Sequence, residues 1–329
     1  MADKPSRALV IYGDGRASLL SPSHVHLHSF ASRASCGFLS LRTPPPGECE
    51  NDRMVRELAQ LLDAYDFYTA RNGQHYETDA DANLKESSIS TISQRFMGLR
   101  AAIITVCPNV KSFARELGFS VLEIDELITQ CDPSNNHFQE IPEEFAIASE
   151  LLKLLGFLGG RVLEKSEFDL LILHIKTSER SKDPKEKMVS DTGVDWLNKL
   201  VGGIMQATEP GLDISSRLHF SIILSYGTVS AREDHYPFIW TPGTETNSDL
   251  SFLHPRQSYT MKGGNTLNDI RHHHPMLIAQ WQERVTRWDM VREFSFKEFR
   301  EHGGNLAILA DRFLHEVAFK LWKAPKYGA

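Results

Sequence analysis

Short, almost wholly apolar runs constrain this chain more than any other feature: Ala8 to Tyr12, Ala101 to Val106, Asp169 to Ile175 and His219 to Ser225. A strand that is apolar at nearly every position, rather than at every second one, is covered on both faces, and sheets covered in that way are largely parallel and flanked by crossover helices. Between the runs lie segments with apolar residues at helical spacing: Met54 to Tyr65, carrying Val55, Leu58, Leu61 and Leu62, then Val110 to Leu117, Glu143 to Leu158 and Val194 to Gln206. This alternation predicts a three-layer α/β/α sandwich on a mostly parallel sheet.

Punctuation between the runs fits the same plan. Gly13-Asp14-Gly15 closes the first strand, and Ser21-Pro22 opens a helix over His24 to Ser35, where a proline in the first turn sacrifices no needed N–H. Pro44-Pro45-Pro46-Gly47 breaks the chain before the next helix, and Gly118 stands where a left-handed helix cap belongs, ahead of a short strand over Ser120 to Ile124. Asn72 to Ser93 is polar and aperiodic, which predicts a loop. Pro237 to Thr241 reads as a further strand, and Pro275 to Trp288 and Phe296 to Trp322 as helices.

A chain of 329 residues with 41% hydrophobic content can bury a large core. Its net charge of -7 offers no footprint for nucleic acid, whose binders present a basic face. No apolar run approaches the roughly 20 residues of a membrane helix, and the start is too polar for a signal peptide, so the expected compartment is the cytoplasm or nucleus, with no membrane insertion. Cys36, Cys49, Cys107 and Cys131 lie far apart and read as free thiols.

Several segments, in one linear order, carry a resemblance: the opening strand with its glycine turn; Cys36-Gly37-Phe38-Leu39 leading into Pro45-Pro46-Gly47; Tyr65 to Arg71; Gly98 to Ile104 with Ala114 to Gly118; Phe168 to His174; and Phe296-Lys297-Glu298-Phe299 with Gly303-Gly304-Asn305-Leu306. Together they resemble the archaeal-type, cofactor-independent phosphoglycerate mutases of the alkaline-phosphatase superfamily. The resemblance implies one domain over residues 1–329, in which residues 72–93 are the remnant of the inserted cap domain of those enzymes.

Such enzymes hold two bridged cations, which need hard oxygen and imidazole ligands converging on one point, and a Ser or Thr that becomes phosphorylated. Position by position, the implied ligands fail here. Tyr12 stands before Gly13 where an Asp is expected, with Asp14 two places on. Glu48 follows Pro46-Gly47 at the nucleophile position and cannot form a phospho-ester. After the strand that ends at His174, an expected Asp-Glu-Ala-Gly-His pattern reads Glu179-Arg180-Ser181-Lys182-Asp183, a charged loop with cations set between acids. An Asp-His pair becomes Tyr226-Gly227, and the final His aligns near Ala231, with Asp234 and His235 downstream.

The resemblance therefore implies a vestigial pocket of Tyr12, Asp14, Glu48, His174, Glu179, Asp183, Tyr226, Asp234 and His235, holding no metal and no other cofactor, in a protein that acts through contacts with a protein partner. Two rivals stand beside that expectation. Displaced groups could still hold two divalent ions such as Mn or Mg for phosphomutase or phosphatase chemistry, or Arg16, Arg180 and Lys182 could grip an anionic small ligand by charge-assisted hydrogen bonds.

Other features read as structural. His24, His26 and His28 diverge on a helix, where residues two apart do not share a face. His272-His273-His274 reads as a surface loop able to capture zinc or nickel adventitiously. Gly13-Asp14-Gly15-Arg16 lacks the spacing of a nucleotide fingerprint. The last fifth of the chain is rich in aromatics, among them Trp281, Trp288, Phe294, Phe296, Phe299, Phe313, Phe319 and Trp322. Most should pack helices onto the sheet, and any left exposed would mark a partner interface.

Overall fold

The computed structural model describes residues 7–73, 90–124, 127, 143–176, 184–228, 249–250, 258–262, 264–304 and 307–325. Its strands are β1 (Arg7–Gly13), β2 (Ser35–Ser40), β3 (Ala101–Ile104), β4 (Ser120–Leu122), β5 (Phe157–Leu158), β6 (Arg161–Val162), β7 (Leu170–Ile175), β8 (Leu218–Leu224), β9 (Met261–Lys262), β10 (Asn265–Thr266), β11 (Met276–Trp281) and β12 (Ala307–Leu309). Its helices are α1 (Val25–Ser32), α2 (Glu50–Leu61), α3 (Tyr65–Gly73), α4 (Ile92–Arg95), α5 (Pro108–Glu116), α6 (Glu143–Leu154), α7 (Pro184–Ala207), α8 (Asp213–Arg217), α9 (Phe296–His302) and α10 (Phe313–Lys320).

Eight strands form one sheet in the order β12-β2-β11-β8-β1-β7-β3-β4, and β11 alone runs antiparallel to its neighbours β2 and β8. Alternate residues of each central strand feed different layers. Leu9, Ile11, Leu171, Leu173, Phe220 and Ile222 face a core closed by Leu27, Phe30, Leu151, Leu197 and Val201 of α1, α6 and α7. Ala8, Val10, Tyr12, Ile103 and Ile172 face a second core closed by Met54, Leu58, Phe113, Leu314 and Val317 of α2, α5 and α10. Each fully buried side chain of this size contributes about 1.5–3 kcal/mol, which is why both faces of the sheet are covered. The predicted three-layer, mostly parallel architecture is the one observed. Among the described residues no helix is long and apolar enough to cross a membrane.

Several boundaries differ from the sequence reading. Pro275 to Trp288 is not helical: Met276–Trp281 is a strand buried on both faces, and a wholly buried run carries no period that separates strand from helix. Phe296 to Trp322 is not one helix but α9, β12 and α10, broken at Gly303-Gly304. The first helix ends at Ser32, and Ser35–Ser40 forms β2, a strand masked in sequence by its serines, cysteine and glycine. Met54 to Tyr65 divides into the end of α2 and the start of α3, and Ile92–Ser93, read as loop, opens α4. The strand assigned to Pro237 to Thr241 lies outside the described residues.

Gly118 has the expected left-handed backbone, with φ of +82, and a Cβ there would lie 2.8 Å from the Cβ of Thr91. Thr91 closes a capping box on α4, so it cannot move without uncapping that helix. Gly118→Ala should therefore destabilise the protein by at least the ~1–2 kcal/mol of a left-handed L-residue, read as a lower urea midpoint at unchanged slope.

The spaced histidines are structural. His24 Nδ1 accepts from the Ser21 N–H at 2.9 Å, and His26 packs its ring where a Cβ on Gly202 would come within 2.9 Å. His28 Nδ1 accepts from the Phe294 N–H at 3.0 Å, which leaves its Nε2–H to donate to the Ser21 carbonyl at 2.9 Å.

Candidate functional site

At the carboxyl edge of the central parallel strands, the ends of β1, β7 and β8 meet the first turns of α2, as the general rule for open α/β sheets places a site. Helix α2 begins where Gly47, with φ of +76, turns the chain, and Cys49 caps it by accepting the Asp52 N–H at 3.4 Å. Glu50 and Asp52 complement the positive end of the helix dipole. One stripe of α2 carries Met54, Val55, Leu58 and Leu61. Arg53, Arg56, Glu57 and Gln60 form another, at spacings of three and four, and they too are buried.

Arg53 reaches into the pocket and grips Asp14 with both ends of its guanidinium, Nη1 to Oδ1 at 2.8 Å and Nη2 to Oδ2 at 2.7 Å. The same Nη1 donates to Glu57 Oε2 at 2.9 Å, while Nε and Nη2 donate to Glu50 at 3.0 and 2.5 Å. Bidentate, charge-assisted pairing of this kind is the strongest hydrogen bonding available to a side chain. Asp14 also accepts from the Ser225 hydroxyl at 3.0 Å and the Tyr12 hydroxyl at 3.3 Å. Arg271 backs Glu57 at 3.5 Å and is fixed by donation to the His274 carbonyl at 2.9 Å.

Electrostatics follow from that packing. Burial alone would push the Asp14 carboxyl up, but the hydrogen bonds and charge of Arg53 outweigh it and hold the group below its ordinary range. Glu57 goes the other way, raised by burial despite Arg271 and Arg53 and further raised by the charge of Asp14. Tyr12 is raised well above the usual phenol value by burial and by the nearby carboxylates, and so stays neutral.

His174 stacks on Tyr12 with ring centroids 5.4 Å apart. The Thr105 hydroxyl accepts the Cys107 N–H at 3.1 Å and shares a hydrogen bond of 2.9 Å with His174 Nδ1. The other ring nitrogen, Nε2, is a buried atom with no hydrogen-bond partner among the described residues. Burial lowers the ring to about 4, so it is neutral.

Of the sequence-derived pocket, Tyr12, Asp14 and His174 converge, and Tyr226 stands at the rim with its hydroxyl raised by burial and its ring edge-on to His274 at 5.0 Å. Glu48, at the nucleophile position, is tied to Arg56 Nε at 2.7 Å. Gly227, where the resemblance places a His, has φ of +75, and a Cβ there would lie 3.1 Å from the Gly15 backbone, so no imidazole fits without moving the turn. Arg16 is buried, donates to the Lys176 carbonyl at 2.8 Å, and fills the space that the missing side chain of Gly193 leaves. Glu179, Arg180, Lys182, Asp183, Ala231, Asp234 and His235 lie outside the described residues.

Pro275 directly precedes β11 and follows His272-His273-His274, and these histidines are half-buried at the rim rather than out in a surface loop. His273 and His274 face each other with Nδ1 atoms 3.1 Å apart.

Among the described residues, the carboxylates of this pocket are not open to a pair of divalent ions. The oxygens of Asp14 and Glu57 that would coordinate a cation already accept from Arg53, Ser225, Tyr12 and Arg271, and a fixed guanidinium lies between them. A cation placed there would meet that positive charge at contact distance. Arg53, Glu57 and Arg271 carry no motif. The one sequence signal for Arg53 and Glu57 is a second charged stripe on α2, which reads as a solvated face until the sheet edge is seen to cover it, and Arg271 has none.

The structure of PH0037 protein from Pyrococcus horikoshii is similar to this chain over 100% of both chains, with a TM-score of 0.54 at 12% identity. A protein in the alkaline phosphatase superfamily from Vibrio parahaemolyticus matches 97% of this chain and 67% of its own at TM-score 0.46 and 8% identity. A cofactor-independent phosphoglycerate mutase from Thermoplasma acidophilum matches 96% of this chain and 99% of its own at TM-score 0.44 and 9% identity. At these identities the likeness is one of fold. No protein-family profile and no curated relative matches the sequence.

Proposed function

We propose that this chain is a non-catalytic relative of the phosphoglycerate mutases within the alkaline-phosphatase superfamily, and that it acts through contacts with a protein partner. The carrying observation is Arg53, which holds Asp14 and Glu57 together with its own charge where a metal enzyme of this fold would use ions. Supporting it are the carboxylate at the nucleophile position, Glu48, which is paired with Arg56, and the tight Gly15–Gly227 contact, which crowds any side chain at position 227. An internal guanidinium keeps the carboxylates satisfied without any ion, so the framework persists while the chemistry does not.

The test is binding and turnover together. Equilibrium dialysis against manganese, magnesium, zinc or cobalt should find no pair of ions per chain, and the same preparations should leave 3-phosphoglycerate and p-nitrophenyl phosphate unreacted. Two bound ions with metal-dependent turnover of either compound would overturn the proposal. Saturable thermal stabilisation by a sugar phosphate, without turnover, would favour an anion sensor instead.

A further inference from the structure

We infer that Lys320 is a carbamate site, whose amine takes up carbon dioxide reversibly beside a polar cluster of His219, Ser221 and Gln280 under α10. This goes beyond the proposed function and does not rest on it, because the cluster lies toward the amino end of β8 and the pocket at its carboxyl end. His219 and Ser221 alternate on β8, and Gln280 stands opposite Ser221 on antiparallel β11, so all three point to one face of the sheet. That is the face α10 covers with Leu314, Val317 and Ala318.

Ser221 Oγ, Gln280 Nε2 and Lys320 Nζ gather on His219 Nε2 at 3.2, 3.4 and 3.5 Å, and Gln280 Nε2 also donates to Ser221 Oγ at 3.4 Å. His219, Ser221 and Gln280 are buried, whereas Lys320, the last residue of α10, is half-buried. Polar side chains set in an apolar layer are costly to desolvate, and hydrogen bonds of this length return only part of that cost, so stability alone gives little reason for the cluster. His219 Nδ1 is moreover buried with no hydrogen-bond partner among the described residues.

These features suit a nitrogen that passes between ammonium and carbamate. Burial lowers the Lys320 amine to about 8, against an ordinary ~10.4, so an appreciable share of it is the neutral nucleophile near neutral pH. Glu316, one turn earlier on α10, faces the same amine, and burial raises its carboxyl, so little fixed charge holds the ammonium in place. Burial also keeps His219 neutral. A neutral imidazole accepts at Nε2 from an ammonium in one tautomer and donates from Nε2 to a carboxylate oxygen in the other, and no partner at Nδ1 fixes the choice. The Ser221 hydroxyl and the Gln280 amide are further donors for such an oxygen. Size selects the electrophile: Leu314, Val317 and Ala318 seal α10 onto the sheet, so a small uncharged molecule reaches the amine without lifting the helix. The nitrogen lone pair forms the new N–C bond, one C=O π pair moves onto oxygen, and one N–H proton leaves to solvent. Neutral amine and carbon dioxide thus give a carbamate and a proton, with no other reactant.

Equilibrating the full-length protein with carbon-13 bicarbonate at about pH 7.5, trapping carbamates by O-ethylation with triethyloxonium, and mapping them by peptide mass spectrometry tests this. Lys320 should carry the labelled ethoxycarbonyl group at roughly tenfold or more the level of the exposed Lys153 and Lys199, because an amine of ordinary basicity is almost wholly protonated at that pH. In protein labelled with nitrogen-15 at histidine, bicarbonate should also move the His219 proton from Nδ1 to Nε2, and Lys320→Arg, which keeps the cation and removes the nucleophile, should abolish that change. Label at Lys320 no higher than at the exposed lysines would overturn the inference, and so would a His219 ring that keeps its tautomer while Lys320 is labelled. The comparison among lysines is made within the wild-type chain, so it stands whether or not the variant folds. It reads Lys320 alone, so its failure would leave the metal and turnover results for the pocket standing.

Discussion

Arg53→Ala should lower the unfolding free energy by about 3–5 kcal/mol, the usual consequence of removing one partner from a buried ion pair. The loss comes less from the missing attraction than from what remains: Asp14 and Glu57, both fully buried, would face each other with only Arg271, 3.5 Å from Glu57, to offset their charge. Two further results follow from the same physics. Acid should narrow the gap between variant and wild type, because protonating the orphaned carboxylates removes their repulsion. Millimolar manganese should raise the melting temperature of the variant and leave the wild type unmoved, since only the variant offers bare carboxylates to an ion. Urea denaturation at several pH values, with and without the metal, reads all three. A variant as stable as the wild type would mean that the pocket does not depend on this guanidinium.

The second large effect belongs to His174. Its folded-state value is about 4 against an ordinary 6.5, because burial disfavours the charged ring. A depressed value means that the unfolded chain binds the proton first. The contribution is therefore fully present above pH 6.5 and is lost as pH falls through the window down to about 4, amounting to about 3 kcal/mol. His174→Phe keeps a ring against Tyr12 and abolishes the titration, so its stability should fall less steeply across that window. His219, also buried and lowered, adds to the wild-type slope, so the informative quantity is the difference between the two proteins. Identical slopes would show that the buried imidazole is not titrating as described.

What could be read from the residues, and what could not, divides along physical lines. The strands β1, β3, β7 and β8 announce themselves because both of their faces are buried, leaving runs such as Leu170–Ile175 with no polar face. The equally buried β11 was indistinguishable from a helix for the same reason, since a short run without period fits either. Tyr12, Asp14 and His174 were placeable because they sit on strand ends that the resemblance aligns. Arg53 and Glu57 were not, because a charged stripe on an amphipathic helix normally faces water, and only the three-dimensional closure of α2 over the sheet edge turns it inward. The sequence sets cations among the acids of the pocket at Arg180 and Lys182, which lie outside the described residues. Among the described residues Arg53 and Arg271, from other elements, place positive charge beside Asp14 and Glu57.

Anomalous diffraction from crystals soaked in a manganese salt addresses the central claim most directly, because it shows whether an arginine or an ion sits between the carboxylates. The account predicts Arg53 still paired through both terminal nitrogens with Asp14, and no anomalous peak within about 2.5 Å of the Asp14 or Glu57 oxygens. A fully coordinated manganese peak there, with Arg53 swung away, would contradict it.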